Sequence, residues 1–120
     1  MVISQINEPV TVLQNVAPVD GTHWLGVELA GKGHADVVGA RVRLAAGGRT
    51  QTRFAKGGCS YASSGDRRCV FGLSKTDKID RVRVTWPDLS EQTWTGDALP
   101  VDHYYRLVRG KTAPEKTRDD

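Results

Sequence analysis

This sequence has few of the groups that do chemistry on their own. Among its 120 residues there are two cysteines, three histidines and one methionine. His23, His34 and His103 stand far apart along the chain, so they read as ordinary surface or edge histidines, and not as a metal cluster or a general base. No Gly-x-Ser-x-Gly elbow is present. Ser60, Ser63 or Ser64 could be drawn beside Asp66, but no histidine adjoins them. Clustered oxygen ligands for calcium are missing too: Asp36, Asp77 and Asp80 are isolated, and no Asp-x-Asp-x-Asp-Gly loop occurs. Two cysteines without neighbouring histidines fall short of a four-ligand zinc site. These absences lead to the expectation of a non-enzymatic protein with no cofactor and no metal.

Long apolar runs are equally scarce. Nothing approaches the roughly 18 consecutive apolar residues of a membrane span. Met1 is followed by Val2-Ile3-Ser4-Gln5, without the basic and apolar regions of a signal peptide. No stretch sustains a helical period. Hydrophobic residues make up 38% of the chain and there are 13 glycines, a balance that suits short strands joined by turns. The net charge is +3. In the polar tail from Lys111 to Asp120, Lys111, Lys116 and Arg118 are balanced by Glu115, Asp119 and Asp120, so the excess sits in the body of the chain.

What is present is period-2 patterning. Residues 8–16 read as a strand, followed by a Pro18 and Asp20-Gly21 turn signal. His23–Leu29 places Trp24 and Glu28 on one side, and Leu25, Val27 and Leu29 on the other. From Val38 to Ala46, Val38, Ala40, Val42 and Leu44 alternate with Gly39, Arg41, Arg43 and Ala45, the pattern of a sheet with one wet face. Ala46-Gly47-Gly48-Arg49 signals a tight hairpin, and residues 50–55 return with Phe54 as the expected anchor. Cys69–Leu73 reads as a short buried strand. Ile79–Trp86 points Val82, Val84 and Trp86 inward, and Arg81, Arg83 and Thr85 outward. Glu91–Thr95 pairs back with Trp94, and His103–Arg109 closes the domain. About eight short strands with turns between them predict an all-β fold, an antiparallel β-sandwich or a partly open barrel. Residues 1–22 are then an N-terminal strand and linker, 23–109 the β domain and 110–120 a disordered tail.

The long central connection, Gly57 to Leu73, carries both cysteines. A Cys59–Cys69 disulfide would close that loop and stabilise by roughly 2–3 kcal/mol on the chain-entropy model; the alternative is two separate thiols, one buried as a small hydrophobe. The arginines are the candidate ligand-binding set. Arg41 and Arg43 share the outer face of one strand and Arg81 and Arg83 that of another, with Arg49, Arg53, Arg67 and Arg68 on adjoining segments. If both strands belong to one sheet, a basic stripe results, and guanidinium forks suit phosphate, sulfate or carboxylate. The bland alternative is an ordinary solvated face, offset by Glu28, Asp80 and Glu91. No ladder of aromatics accompanies the arginines, so nucleic acid is not the expected partner. Trp24, Trp86 and Trp94 read as core anchors, with Trp94, on an edge-like strand, also a candidate ligand contact.

Several blocks, taken in order, resemble those of the ASPIC/UnbV domain: His23-Trp24-Leu25-Gly26-Val27-Glu28-Leu29, Gly39-Ala40-Arg41-Val42, Ala46-Gly47-Gly48-Arg49-Thr50-Gln51, Phe71-Gly72-Leu73 and Val82-Arg83-Val84-Thr85-Trp86-Pro87. The resemblance covers about His23 to Leu107. It departs from the family in the central loop, where Gly57-Gly58-Cys59-Ser60-Tyr61 replaces the usual Gly-Gly-Ser-Gly-Tyr and introduces the first cysteine. In that family the domain follows FG-GAP repeats that build a calcium-binding propeller, and Val10-Thr11-Val12-Leu13-Gln14-Asn15 resembles the closing strand of such a repeat. The resemblance implies a non-catalytic, extracellular or envelope-associated binding or docking module, C-terminal to a propeller. Its partner would be the parent propeller or an extracellular ligand such as a glycan or acidic polymer. Some bacterial members sit in enediyne antibiotic gene clusters. That implies the alternative of a cytoplasmic accessory or self-resistance protein, holding a small hydrophobic molecule between its sheets.

Overall fold

Alternation along the strands sets the architecture. In β4 (Arg41–Ala46), Val42, Leu44 and Ala46 are buried while the residues between them are half-exposed. In β6 (Cys69–Ser74), Cys69, Phe71 and Leu73 are buried and Val70, Gly72 and Ser74 are exposed. The computed structural model describes residues 2–18, 20–33, 36–58 and 64–117. Its remaining strands are β1 (Val2–Gln5), β2 (Glu8–Val12), β3 (His23–Ala30), β5 (Arg49–Phe54), β7 (Arg81–Thr85), β8 (Glu91–Thr95), β9 (His103–Val108) and β10 (Glu115–Lys116). None of the described residues forms a helix long and apolar enough to cross a membrane.

Two four-stranded sheets carry the domain, in the orders β10-β9-β3-β6 and β5-β4-β7-β8. Their inner faces share one core, in which Leu25 and Val27 of β3, Phe71 of β6 and Leu107 of β9 join Val42, Leu44, Val82, Val84 and Trp94 of the other sheet. The sheets form a sandwich and do not close into a barrel. Gln51 ties them at one edge, donating 2.7 Å to the carbonyl of Gly72. The hairpin between β4 and β5 turns on Gly47 and Gly48, both at positive φ, as a two-residue loop requires.

One pairing departs from the antiparallel expectation: β9 runs parallel to β3, from Leu25↔His103 to Ala30↔Val108. The chain leaves β8 through a short 3-10 turn at Gly96–Ala98 and crosses to the other sheet, burying Leu99 on the way. It therefore enters beside β3 in the same direction.

Five local expectations are corrected. Trp24, expected as a core anchor, is only half-buried and lies outside the core, its ring 4.7 Å from that of Tyr104. β4 starts at Arg41, not Val38: Val38 lies in the preceding turn and is largely exposed, and Gly39 has a φ of +92° that breaks the strand. Phe54 does not anchor the core and is 56% exposed. Its partner in the register is Arg41, whose side of β4 faces outward, and the next residue, Ala55, is the one that turns inward and is buried. The N-terminal segment is a separate hairpin, β1 with β2, and its strand ends at Val12 instead of continuing to Val16. The stretch from Gly110 to Thr117, expected to be disordered, is held in place. Glu115 and Lys116 pair with Arg106 and Tyr105 on the open edge of β9. The Gln92 side chain accepts from the Gly110 N–H at 3.0 Å and donates to the Lys111 carbonyl at 2.5 Å. Polar composition alone reads as a tail; the vacant edge of β9 supplies backbone partners that composition does not reveal.

A candidate anion-binding face

β4 and β7 lie side by side, and their register brings the predicted arginines together. Arg43 stands directly opposite Arg83, Arg81 opposite Ala45, and Arg41 opposite Thr85. The flanking strands complete three rows across the sheet: Phe54-Arg41-Thr85-Glu91, Thr52-Arg43-Arg83-Thr93 and Thr50-Ala45-Arg81-Thr95. The outer face is thus a band of guanidinium groups bordered by threonines. It arises because β4 and β7 each alternate valine or leucine with arginine, and burying the apolar half forces the arginines out.

The charges are compensated only in part. Residues directly opposite on antiparallel strands have Cβ atoms about 5 Å apart, and like charges placed so are destabilising. Arg83 has one carboxylate nearby, Glu91, at 3.7 Å, and that carboxylate also accepts from the Thr85 hydroxyl at 3.2 Å. Arg41, Arg43 and Arg81 make no ion pair among the described residues, and the Nε of Arg41 is buried without a hydrogen-bond partner. Arg43, Arg81 and Arg83, with Ala45 and Thr50, line a depression of about 160 Å³. Chemically this is a set of forked donors, with hydroxyls at its border, suited to sulfate, phosphate or carboxylate oxygens.

The other predicted residues lie elsewhere. Arg68 is on the opposite sheet: its guanidinium sits 4.2 Å over the Tyr104 ring and is held by Asp66, with Nε donating at 3.0 and 2.9 Å and Nη2 at 2.6 Å. Those bonds hold the Asp66 carboxyl below the usual carboxylate range. The Tyr104 ring in turn covers Gly26, where an added Cβ would come within 1.9 Å of it. Arg67 lines a cleft with Glu28, Lys56 and Arg106. Trp94 is not a surface contact: it faces Val82 across β7 and β8 and is 2% exposed, so it belongs to the core. Cys69 is buried, its Sγ 3.9 Å from the Phe54 carbonyl oxygen, and burial pushes its thiol pKa up. Cys59, the expected bridge partner, lies outside the described residues, as do His34, Ser60 and Ser63.

One pair escaped the sequence reading. His23 Nδ1 lies 2.7 Å from Asp102 Oδ2, while Asp102 Oδ1 accepts from the Trp24 N–H at 3.1 Å. His103 Nδ1 instead contacts the carbonyl of Val101 at 2.8 Å. His23 and Asp102 are brought together only because β9 enters parallel to β3, a pairing that no local pattern announces.

No curated protein and no solved structure matches the chain. A family model described as ASPIC and UnbV matches residues 30–114, well over half of the sequence. The match takes in both arginine strands, the central connection and β9, and it begins at the last residue of β3, so the block around Trp24 stands just outside it. With two sandwiched sheets and that span, the chain belongs to the ASPIC and UnbV family.

Proposed function

We propose that this is a binding module for an acidic polymer, engaged by the outer face of the β5-β4-β7-β8 sheet. The observation that carries the reading is Arg43 set opposite Arg83 with Arg81 beside them, and one carboxylate, Glu91, near Arg83 alone. A folded domain keeps such a juxtaposition at a cost, and a chain of sulfates or carboxylates offsets it. The band is open and long, which suits a polyanionic glycan better than a single enclosed ligand. The setting this reading implies is extracellular or at the cell envelope.

The second half of the reading is docking to a preceding propeller. The β1–β2 hairpin exposes Val2, Ile6, Val10 and Val12, and two strands alone are marginally stable in water. A ribbon with apolar side chains on its surface and free edges is suited to completing a neighbouring sheet, consistent with the family's position C-terminal to FG-GAP-type repeats. The alternative of a small hydrophobic ligand held between the sheets gains no support, because the inner faces pack on one another around Leu25, Leu44, Phe71 and Trp94.

The test is a titration with a heparin-like sulfated polymer and a neutral glycan, followed by NMR. The sulfated polymer should shift the amides of β4 and β7, weaken steeply with salt, and lose most of its affinity in the Arg43→Ser, Arg83→Ser double variant. Equal response to both polymers, or an unchanged response in the double variant, refutes the reading.

A further inference from the structure

A second site, independent of the arginine face, opens at the end of the sandwich where β3 finishes. There a cleft of about 210 Å³ lies between the end of β3, the turn leading to β4, and the residues just after β5. Leu29, Val37, Val38 and Ala55 form its apolar lining, and Glu28, Lys56 and Arg106 are among its polar residues. Two glycines let the walls come close. A Cβ on Gly31 would sit 2.8 Å from Asp36 Cβ, and one on Gly57 would sit 3.3 Å from both Val38 methyls. Val38 remains 47% exposed inside this frame, an apolar side chain held by its surroundings and left uncovered.

The charges around the cleft are not balanced. Arg106 stands opposite Glu28 across β3 and β9, and opposite Glu115 across β9 and β10, but makes no ion pair among the described residues, and Glu115 is held by Lys111 at 2.6 Å. Lys56 has neither a hydrogen bond nor an ion pair among the described residues. An apolar pocket with a few placed polar groups is the usual form of a small-ligand site, and a lining that sets Lys56, Arg67 and Arg106 against Glu28 selects an anion. A cavity of roughly 150 Å³ accommodates one benzene ring, so this cleft has room for a ring or a branched aliphatic body plus one carboxylate.

We infer that the cleft binds a small amphipathic monocarboxylate, its apolar body on Val37, Val38 and Leu29 and its carboxylate on Lys56.

Phenylacetate is the probe, with phenylacetamide and acetate as the uncharged and the body-less comparisons, each titrated into the whole chain and read on methyl NMR signals. Phenylacetate should shift the Val37, Val38 and Leu29 methyls saturably at millimolar concentration. Phenylacetamide should bind about two- to five-fold more weakly, the worth of one partly exposed ion pair, and acetate should leave the methyls unmoved. Lys56→Met, which keeps the stem and removes the charge, should narrow the difference between the two ring compounds, with Arg67 and Arg106 left in the lining. Arg43→Ser with Arg83→Ser, distant from the cleft, should bind phenylacetate as the parent does, so this site can stand or fall apart from the arginine face. The proposal is overturned by the absence of a saturable methyl shift, by equal binding of phenylacetate and phenylacetamide in the parent, or by a Lys56→Met variant that prefers the acid as strongly as the parent does.

Discussion

His23 and Asp102 meet at 2.7 Å although 79 positions separate them. Asp102 sits at a φ of +63°, a left-handed conformation that asparagine and aspartate tolerate better than most residues. From it the carboxylate takes His23 and the Trp24 N–H, while its own N–H donates 2.7 Å to the Trp24 carbonyl. The pair pins the start of β3 to the loop that enters β9.

That pin carries a pH signature. The His23 contact, followed by the Trp24 N–H, holds the Asp102 carboxyl below its ordinary pKa. A carboxylate with a depressed folded-state pKa contributes stability that is present above the unfolded value, near 4, and is lost as pH falls through the folded one. Asp102→Asn keeps an acceptor for Trp24 and the tolerance for positive φ but cannot ionise. Thermal melts of parent and variant should therefore converge as pH drops from 5 towards 3, with the parent higher at pH 5; parallel curves would show that Asp102 is not the group involved.

Relieving the arginine opposition should stabilise the isolated domain. Arg83→Thr or Arg43→Thr removes a like-charge pair from adjacent strands and adds a β-branched residue suited to a sheet. The expected gain is on the order of 0.2–1 kcal/mol, larger in low salt than in high. Urea denaturation at two ionic strengths measures it. A residue that improves stability when removed and reduces polyanion binding is one held for its ligand.

Gly26 cannot carry a side chain without moving Tyr104, whose ring occupies the space of its Cβ. Gly26→Ala should destabilise the domain by about 1–3 kcal/mol through overpacking. It should also free Arg68 from its stack on the ring. A lowered urea midpoint with altered Tyr104 ring shifts is the expected outcome, and an unchanged midpoint would contradict the close contact.

Trp94 and Phe54, both read from the sequence as anchors, should behave oppositely. Trp94→Ala removes a buried side chain opposite Val82 and should cost about 3–5 kcal/mol. Phe54→Ser, on the outer face opposite Arg41, should change stability by less than about 0.5 kcal/mol. Chemical denaturation of both variants separates these values easily.

Cys69 should resist thiol reagents in the reduced native protein, since its burial raises the thiol pKa and leaves little thiolate near neutral pH. Labelling should accelerate sharply in denaturant. We propose the Cys59–Cys69 bridge for the oxidised form, and the same assay checks it: two thiols titrating in denaturant without reductant would rule it out.

The faces of the strands were legible from local pattern. Burying Val42 and Leu44, or Val82 and Val84, decides which way the intervening arginines point whatever the neighbouring strand is. The Gly47-Gly48 turn was equally readable, because only a residue free of a Cβ adopts two successive positive φ values without strain. Phe54 misled because aromatic character argues for burial, whereas the position opposite Arg41 puts it outside. The ordered 110–117 stretch and Leu99 escaped because their partners are distant in the chain.

By itself, then, the amino-acid order determined an all-β domain, the inward and outward residues of its main strands, and its likeness to one family, since each follows from alternation and turn chemistry within a few residues. Only the tertiary structure decided that Arg43 opposes Arg83, that β9 runs parallel to β3 and so delivers Asp102 to His23, and that a cleft edged by Lys56 opens at the end of the sandwich. Those depend on strand order and register between distant segments, and a period of two fixes a face without naming the neighbour.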